Sequence, residues 1–158
     1  MKINLKKWPL RLMTLFAFLI LGLKFDGNLS QLLQRRKDFI NNIQMGGERY
    51  SLSFASLKYY IAYITEPFAF INIFGNIGLF AILAFFARIS FSKNSILYSF
   101  FYCLLAGIFI ELFQYITWFG AFDISDIVLR FVGILMGISI YYLYSLLQKR
   151  LLSWNWEP

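Results

Sequence analysis

The chain has 158 residues, of which 59% are hydrophobic and 15% are charged, with a formal net charge of +7. Soluble domains usually carry about 25% charged residues, and here the charges cluster outside long apolar runs, which excludes a water-soluble domain. The chain has no histidine and a single cysteine. Histidine-based triads, the usual zinc sites and an intrachain disulfide are therefore excluded too, and we expect neither a cofactor nor a metal.

The first apolar element is short and follows a group of positive charges. Residues 12–23 are apolar, and the basic residues before them are Lys2, Lys6, Lys7 and Arg11. A cleaved signal peptide has the same layout, but no small-residue cleavage site follows here. Since Arg11 and Lys24 can extend to the headgroups and Trp8 suits the interface, we expect an uncleaved anchor spanning residues 8–25.

The next segment, residues 26–66, is predicted to contain two amphipathic helices joined by a turn at residues 45–49. The apolar residues at helical spacing are Leu29, Leu32, Leu33, Ile40 and Ile43 in the first helix and Leu57, Tyr60, Ile61 and Ile64 in the second. Both helices can lie on the outer leaflet. Either they only cover the outer mouth of a helical bundle, or they bind a lipid or a partner.

Three later runs reach the length of about 20 apolar residues that a membrane-spanning helix needs. They are residues 68–89, 96–118 and 124–147. Pro67 marks the start of the first, and Asn94 or Ser95 is predicted to cap the second. With the N-terminal anchor, the sequence predicts one all-α domain, residues 1–158, built as a polytopic bundle of four transmembrane helices.

The basic flanks predict the orientation, because short basic segments remain in the cytoplasm. Four spans place the N-terminal lysines, Arg88 with Lys93, and Lys149 with Arg150 on one side. Both termini are therefore predicted to be cytoplasmic and residues 26–66 external, although residues 35–37 are basic. The flanks also account for the net charge, so we expect no nucleic-acid partner.

Several polar residues interrupt the apolar run from Gly107 to Gly137. Helical spacing places them on one face of each of two successive helices, Glu111 and Gln114 on the first and Asp123, Asp126 and Arg130 on the second. A turn at residues 119–122, containing Gly120, makes these helices a hairpin whose two polar faces meet. Since a charge at mid-membrane costs about 2.5–3.5 kcal/mol, we expect these residues to face the bundle interior.

The individual roles are less uniform. Glu111 lies about 10 Å below the interface at Trp118 and either pairs with Arg130 across the hairpin or is protonated. No helix end requires a carboxylate at Glu111, which favours a functional role there. For Asp123, two interpretations remain open, namely a ligand contact and a helix N-cap. Asp126 has Arg130 one turn later for a local pair, and the structural alternative is that it only faces the positive end of the helix from the first turn.

Other small and polar residues suit packing. Gly133 and Gly137 form a small-xxx-small face of the kind that brings membrane helices close together. Asn76, one turn after Asn72, is predicted to donate or accept hydrogen bonds between helices. It becomes a candidate ligand contact only if it faces Glu111 and the two aspartates.

The polar string resembles the signature of the VanZ-like family of small bacterial membrane proteins. That signature reads Glu-x-x-Gln, a short loop with Gly or Arg, Asp-x-x-Asp, and a helix opening with Asn-x-x-Gly. The matching residues are Glu111, Gln114, Gly120, Asp123, Asp126 and Gly133. Asn76 and Phe80 match an upstream Asn-x-x-x-Phe-x-Pro-x-Gly segment, whose Pro and Gly are missing here. Arg130 stands where the family commonly has Asn.

The resemblance implies a multi-pass protein of the bacterial plasma membrane, with teicoplanin resistance in some members and no established reaction. We favour a non-enzymatic envelope protein that contacts membrane lipids and a lipoglycopeptide or a lipid-linked cell-wall precursor. The alternatives are a membrane enzyme, in which the carboxylates hold Mg²⁺ or Ca²⁺ or act as a base, and a proton-coupled transporter subunit, which would suit a homo-oligomer. The candidate binding residues are Glu111, Gln114, Asp123, Asp126, Asn76 and Arg130.

Overall fold

The computed structural model describes residues 8–24, 27–91 and 96–154, and these residues form six α-helices and two short strands. The helices are α1 (Trp8–Ala17), α2 (Leu29–Gln44), α3 (Ala55–Ala62), α4 (Pro67–Ser90), α5 (Ile96–Thr117) and α6 (Ile124–Trp154). A π-helical turn, Phe18–Gly22, continues α1, and the strands are β1 (Tyr50–Ser51) and β2 (Phe122–Asp123). The predicted helical class is confirmed.

Three of the described helices, α4, α5 and α6, are long and apolar enough to cross a membrane. Their starts match the predicted spans to within a residue, and α6 extends beyond its predicted end. The apolar helix Trp8–Gly22 is shorter, so the fourth span and the orientation remain predictions. The predicted caps Asn94 and Ser95, and the basic residues Lys2, Lys6, Lys7 and Lys93, lie outside the described residues.

The closest packing in the bundle is between α4 and α6. Gly133 and Gly137 are buried, and a Cβ at either would overlap the backbone carbonyl oxygens of Ile77 and Ala81. The helix backbones therefore approach each other where α6 lacks side chains, as the small-xxx-small spacing predicts. The buried core of this bundle consists of Leu10, Phe80, Leu83, Ala84, Ala87, Cys103, Ile110 and Ile134.

Residues 27–66, which the sequence predicts to be external and which we call the outer segment, contain the two predicted amphipathic helices, α2 and α3. The Asn28 side chain caps α2 by accepting from the Ser30 N–H at 3.0 Å, and Gly46 with φ +98° lies in the turn between the helices. β1 then pairs in parallel with β2, with Tyr50 opposite Phe122 and Ser51 opposite Asp123. This pairing joins the outer segment to the turn between α5 and α6.

Two arginines of the outer segment dock on the C-terminal end of α5. The Arg36 Nε donates to the Thr117 carbonyl at 3.0 Å, and the Arg49 Nη2 donates to the Tyr115 carbonyl at 2.7 Å. The Arg49 guanidinium also lies 3.7 Å from the Trp118 ring centroid. The last carbonyls of a helix lack partners within it and carry partial negative charge. α5 has no basic residue in its own last turn, so these arginines supply the missing cations.

We predict that Gly137→Ala destabilises the bundle, because the added methyl group meets the rigid backbone of Ala81. Overpacking of this kind costs about 1–3 kcal/mol. The matched control is Gly78→Ala, since a Cβ at Gly78 meets nothing within 4 Å and alanine favours a helix. Thermal unfolding in detergent measures both variants, and equal midpoints would contradict the packing described here.

We predict that Arg49→Gln loosens the outer segment while leaving the bundle folded. A hydrogen bond to a charged group contributes about 1.5–3 kcal/mol, so amide exchange in residues 45–62 rises by about tenfold or more. Hydrogen-exchange mass spectrometry checks this, with Lys37→Gln as the control because Lys37 is exposed. Equal exchange in both variants would show that Arg49 does not hold the segment.

Candidate functional site

The centre of the candidate site is a buried ion pair between α5 and α6. The Arg130 Nη2 lies 2.5 Å from the Glu111 Oε1, and the two side chains are 2% and 0% exposed. The Arg130 Nε donates to the Asn76 Oδ1 and its Nη1 donates to the Gly107 carbonyl, both at 2.8 Å. One guanidinium therefore connects α4, α5 and α6. Of the two states predicted for Glu111, pairing with Arg130 and protonation, the structure shows the pairing.

Gly107 and Phe80 provide the space for this guanidinium. A Cβ at Gly107 would lie 3.4 Å from the Arg130 Cδ and 3.3 Å from the Phe80 ring. The Arg130 Cζ lies 5.6 Å from the centroid of that ring. The absence of a side chain at Gly107 thus allows Arg130 to reach the α5 backbone, and the aromatic face stabilises its charge.

Glu111 also connects the ion pair to the start of α6. Its Oε2 accepts from the Asp123 N–H at 2.9 Å, and the Asp123 Oδ1 accepts from the Ser125 N–H at 2.8 Å. The second contact is that of a helix N-cap, one of the two interpretations of Asp123. In an ordinary capping box, the backbone N–H of the N-cap residue donates to a Glu or Gln three residues later in the same helix. Here the Asp123 N–H donates instead to Glu111 of the neighbouring helix.

Asp126 is the least satisfied member of the group. Its Oδ2 lies 4.0 Å from the Arg130 Nη2, at the outer limit of an ion pair. Its Oδ1 is buried and has no hydrogen-bonding partner among the described residues, although the side chain as a whole is 14% exposed. An acceptor without a donor costs about 1–3 kcal/mol, and more if it is charged. Asp126 therefore has a free acceptor position.

Tyr60 of α3 extends the site towards the outer segment. Burial raises the pKa of its hydroxyl, and the carboxylates of Asp126, Asp123 and Glu111 raise that pKa further. The hydroxyl group is therefore protonated at neutral pH and is a donor near the acidic residues. The sequence analysis placed Tyr60 on the apolar face of an amphipathic helix and did not name it as a site residue. Its hydroxyl is the one polar group among the residues of that face, and this could have marked it as a candidate.

Gln114, a candidate binding residue because of its position beside Glu111, instead contacts the backbone at the end of the first helix. It is buried, and its Nε2 donates to the Leu21 carbonyl at 2.8 Å. Leu21 lies in the π-helical turn after α1, where carbonyls near the helix end need external donors. Gln114 thus joins α5 to α1. A Cβ at Gly120 would lie 3.5 Å from both the Gln114 amide and the Lys24 Nζ, an ordinary van der Waals distance, so this turn packs against the Gln114 side chain.

The structure thus brings five of the six candidate residues into one network and leaves Gln114 beside it. The network residues are Glu111, Asp123, Asp126, Asn76 and Arg130. In the part of the chain that the structure describes, no three Asp, Glu, Cys or His residues are grouped to hold a metal ion. The arrangement offers one buried oxygen of Asp126 without a hydrogen-bonding partner among the described residues, and the Tyr60 hydroxyl of α3, whose pKa burial raises, is close enough for the carboxylates to raise that pKa further.

Apolar helices around a buried charge network define a small polytopic helical membrane protein. A family model described as VanZ/LLP1 matches residues 10–147. The chain therefore belongs to the VanZ/LLP1 family, as its polar string indicated. Neither the comparison with curated proteins nor the comparison with solved structures gave a significant match.

We predict that Glu111 and Arg130 are strongly coupled. Removing one partner of a buried ion pair costs about 3–5 kcal/mol, because the other charge remains buried. The single variants Glu111→Gln and Arg130→Gln should each lower the free energy of unfolding by about that amount, and the double variant should lose less than their sum. Unfolding in detergent measures the cycle. Additive losses would mean that the two side chains do not interact.

Proposed function

We propose that this VanZ/LLP1 family protein is a non-enzymatic component of the bacterial plasma membrane that binds an amphiphile at the outer leaflet. The ligand class is a lipoglycopeptide such as teicoplanin or a lipid-linked cell-wall precursor. The proposal includes four spans with cytoplasmic termini, as the basic flanks predict, and it agrees with the teicoplanin resistance that the family resemblance implies for some members.

The unpaired Oδ1 of Asp126 is the observation that carries the proposal. A buried carboxylate oxygen without a donor favours any ligand that provides an N–H or O–H group. The peptide and sugar parts of lipoglycopeptides and lipid-linked precursors are rich in such donors. The Tyr60 hydroxyl, protonated near the same carboxylates, adds a donor for carbonyl or phosphate oxygens of the same headgroup.

The outer segment supports the amphiphilic character of the ligand. Large apolar side chains are exposed on α3 and beside it, and they are Leu52, Phe54, Tyr59, Ile61, Tyr63, Ile64 and Phe68. Exposed apolar surface of this kind is typical of contact with a membrane or a ligand. A headgroup near Asp126 and an acyl chain along α3 would use both features together.

The two alternative functions receive less support from the same contacts. A transporter that carries protons on Glu111 needs a carboxylate that can release its charge, whereas both oxygens of Glu111 are engaged by Arg130 and the Asp123 N–H. An enzyme with Ser125 as nucleophile needs an available hydroxyl, whereas this one is buried and accepts from the Leu57 N–H at 3.2 Å. Binding therefore accounts best for the geometry.

We predict that the protein, expressed in a bacterium that lacks it, raises the inhibitory concentration of teicoplanin and changes surface binding of the fluorescent drug, which falls if the protein covers a lipid-linked precursor and rises if the protein holds the drug itself. Asp126→Asn should reverse both effects, since a charged acceptor bonds about twice as strongly as a neutral one. The matched control is Asp38→Asn, because Asp38 is an exposed carboxylate on α2.

Purified protein identifies the ligand. Direct binding of labelled teicoplanin, or of a lipid-linked precursor, should weaken about fivefold in Asp126→Asn. Cells with unchanged drug binding and unchanged susceptibility, together with purified protein that binds neither compound, would refute the proposed function.

A further inference from the structure

A groove of about 630 Å³ lies between α1 and α5, and no residue of the Arg130 network lines it. Its walls are mostly apolar side chains of these two helices, and the buried Leu83 of α4 lines its base. Ala17 and Ala106 are small and leave room between the walls. The volume falls within the range of about 300–1,000 Å³ that is typical of ligand sites.

One end of the groove is polar and the remainder is apolar. Arg11 lies at the polar end, is exposed, and has no ion-pair or hydrogen-bonding partner among the described residues. One turn further along α1, the Thr14 Oγ1 and the Tyr102 hydroxyl share a hydrogen bond of 2.7 Å. From there to Phe18 and Phe109 the lining is apolar.

The length of the groove suits an acyl chain from a single leaflet. Arg11 and Phe18 are separated by a rise of about 10 Å along the helix. Half of a typical hydrocarbon core is about 15 Å. With α1 in the membrane and Arg11 at the headgroups, as the sequence predicts, the apolar end of the groove would stop before the middle of the membrane.

We propose that this groove binds one acyl chain of an anionic phospholipid, whose phosphate group contacts Arg11. A planar guanidinium matches phosphate oxygens in geometry and charge, and the Thr14–Tyr102 pair adds hydroxyl groups beside the glycerol region. In the proposed orientation the lipid belongs to the cytoplasmic leaflet, which is negatively charged. This site requires α1 to lie in the membrane, but it is independent of the ligand proposed at Asp126.

Native mass spectrometry of the full chain in detergent tests the headgroup contact, with phosphatidylglycerol and phosphatidylcholine of identical acyl chains as probes. Wild-type protein should bind the first phosphatidylglycerol about fivefold more tightly than phosphatidylcholine, whose choline ammonium already neutralises its phosphate group; this factor is the contribution of one basic residue near a headgroup of net negative charge. Arg11→Gln should remove this preference. Lys149→Gln should retain it, because Lys149 is an exposed cation that does not line the groove.

A second pair of variants tests the acyl-chain contact. Ala106→Phe fills the groove and should weaken the binding of both lipids, whereas Leu112→Phe, on the exposed surface of the same helix, should not. Equal affinity of the wild type for the two lipids, or equal losses in Arg11→Gln and Lys149→Gln, would overturn the proposal. So would equal lipid binding by Ala106→Phe and Leu112→Phe.

Discussion

The buried Arg130–Glu111 pair is the interaction on which the rest of the structure depends. A charge within a membrane bundle is tolerated only when its hydrogen-bonding capacity is satisfied, and Arg130 meets this condition with a side chain or carbonyl from both neighbouring helices, Asn76 on α4 and Gly107 on α5. These contacts require α4, α5 and α6 to approach closely. Gly133 and Gly137 make that approach possible, so the polar network and the close packing depend on each other.

The three carboxylates near this guanidinium have different roles. Glu111 neutralises Arg130 and completes the start of α6, and Asp123 caps the same helix. Both are explained by the fold. Asp126 is explained in part, because it lies in the first turn of α6 and 4.0 Å from the Arg130 Nη2, but its Oδ1 is buried without a donor among the described residues. A shared acidic signature can therefore combine residues that build a hairpin with one that keeps an unpaired oxygen, and only the contacts distinguish the two.

The sequence predicted the apolar helices, the hairpin and the glycine face, because these depend on spacing and residue size. It left the pairing of Glu111 with Arg130 as one of two states, since protonation and pairing both avoid the cost of an uncompensated buried charge. It did not predict the contacts of Arg36, Arg49 and Gln114, whose acceptors are backbone carbonyls at helix ends. Carbonyl groups carry no residue-specific signal, so their partners depend on tertiary structure. Arg36 belongs to the basic run at residues 35–37, which counted against an external location for this segment. Its hydrogen bond to the end of α5 gives one residue of that run a structural role.

The apolar helix at the start of the chain is short for a membrane span. On the proposed four-span arrangement, the apolar helix Trp8–Gly22 rises only about 22 Å, less than a hydrocarbon core of about 30 Å. A short span is accommodated by local thinning of the bilayer or by long basic side chains that extend to the headgroups. Arg11 and Lys24 are suited to this at opposite ends. Gln114 ties one end of this segment to α5 through the Leu21 carbonyl, and the hydrogen bond between Thr14 and Tyr102 ties it again one turn from Arg11, so the groove between the two helices lies along a segment that α5 holds at two points.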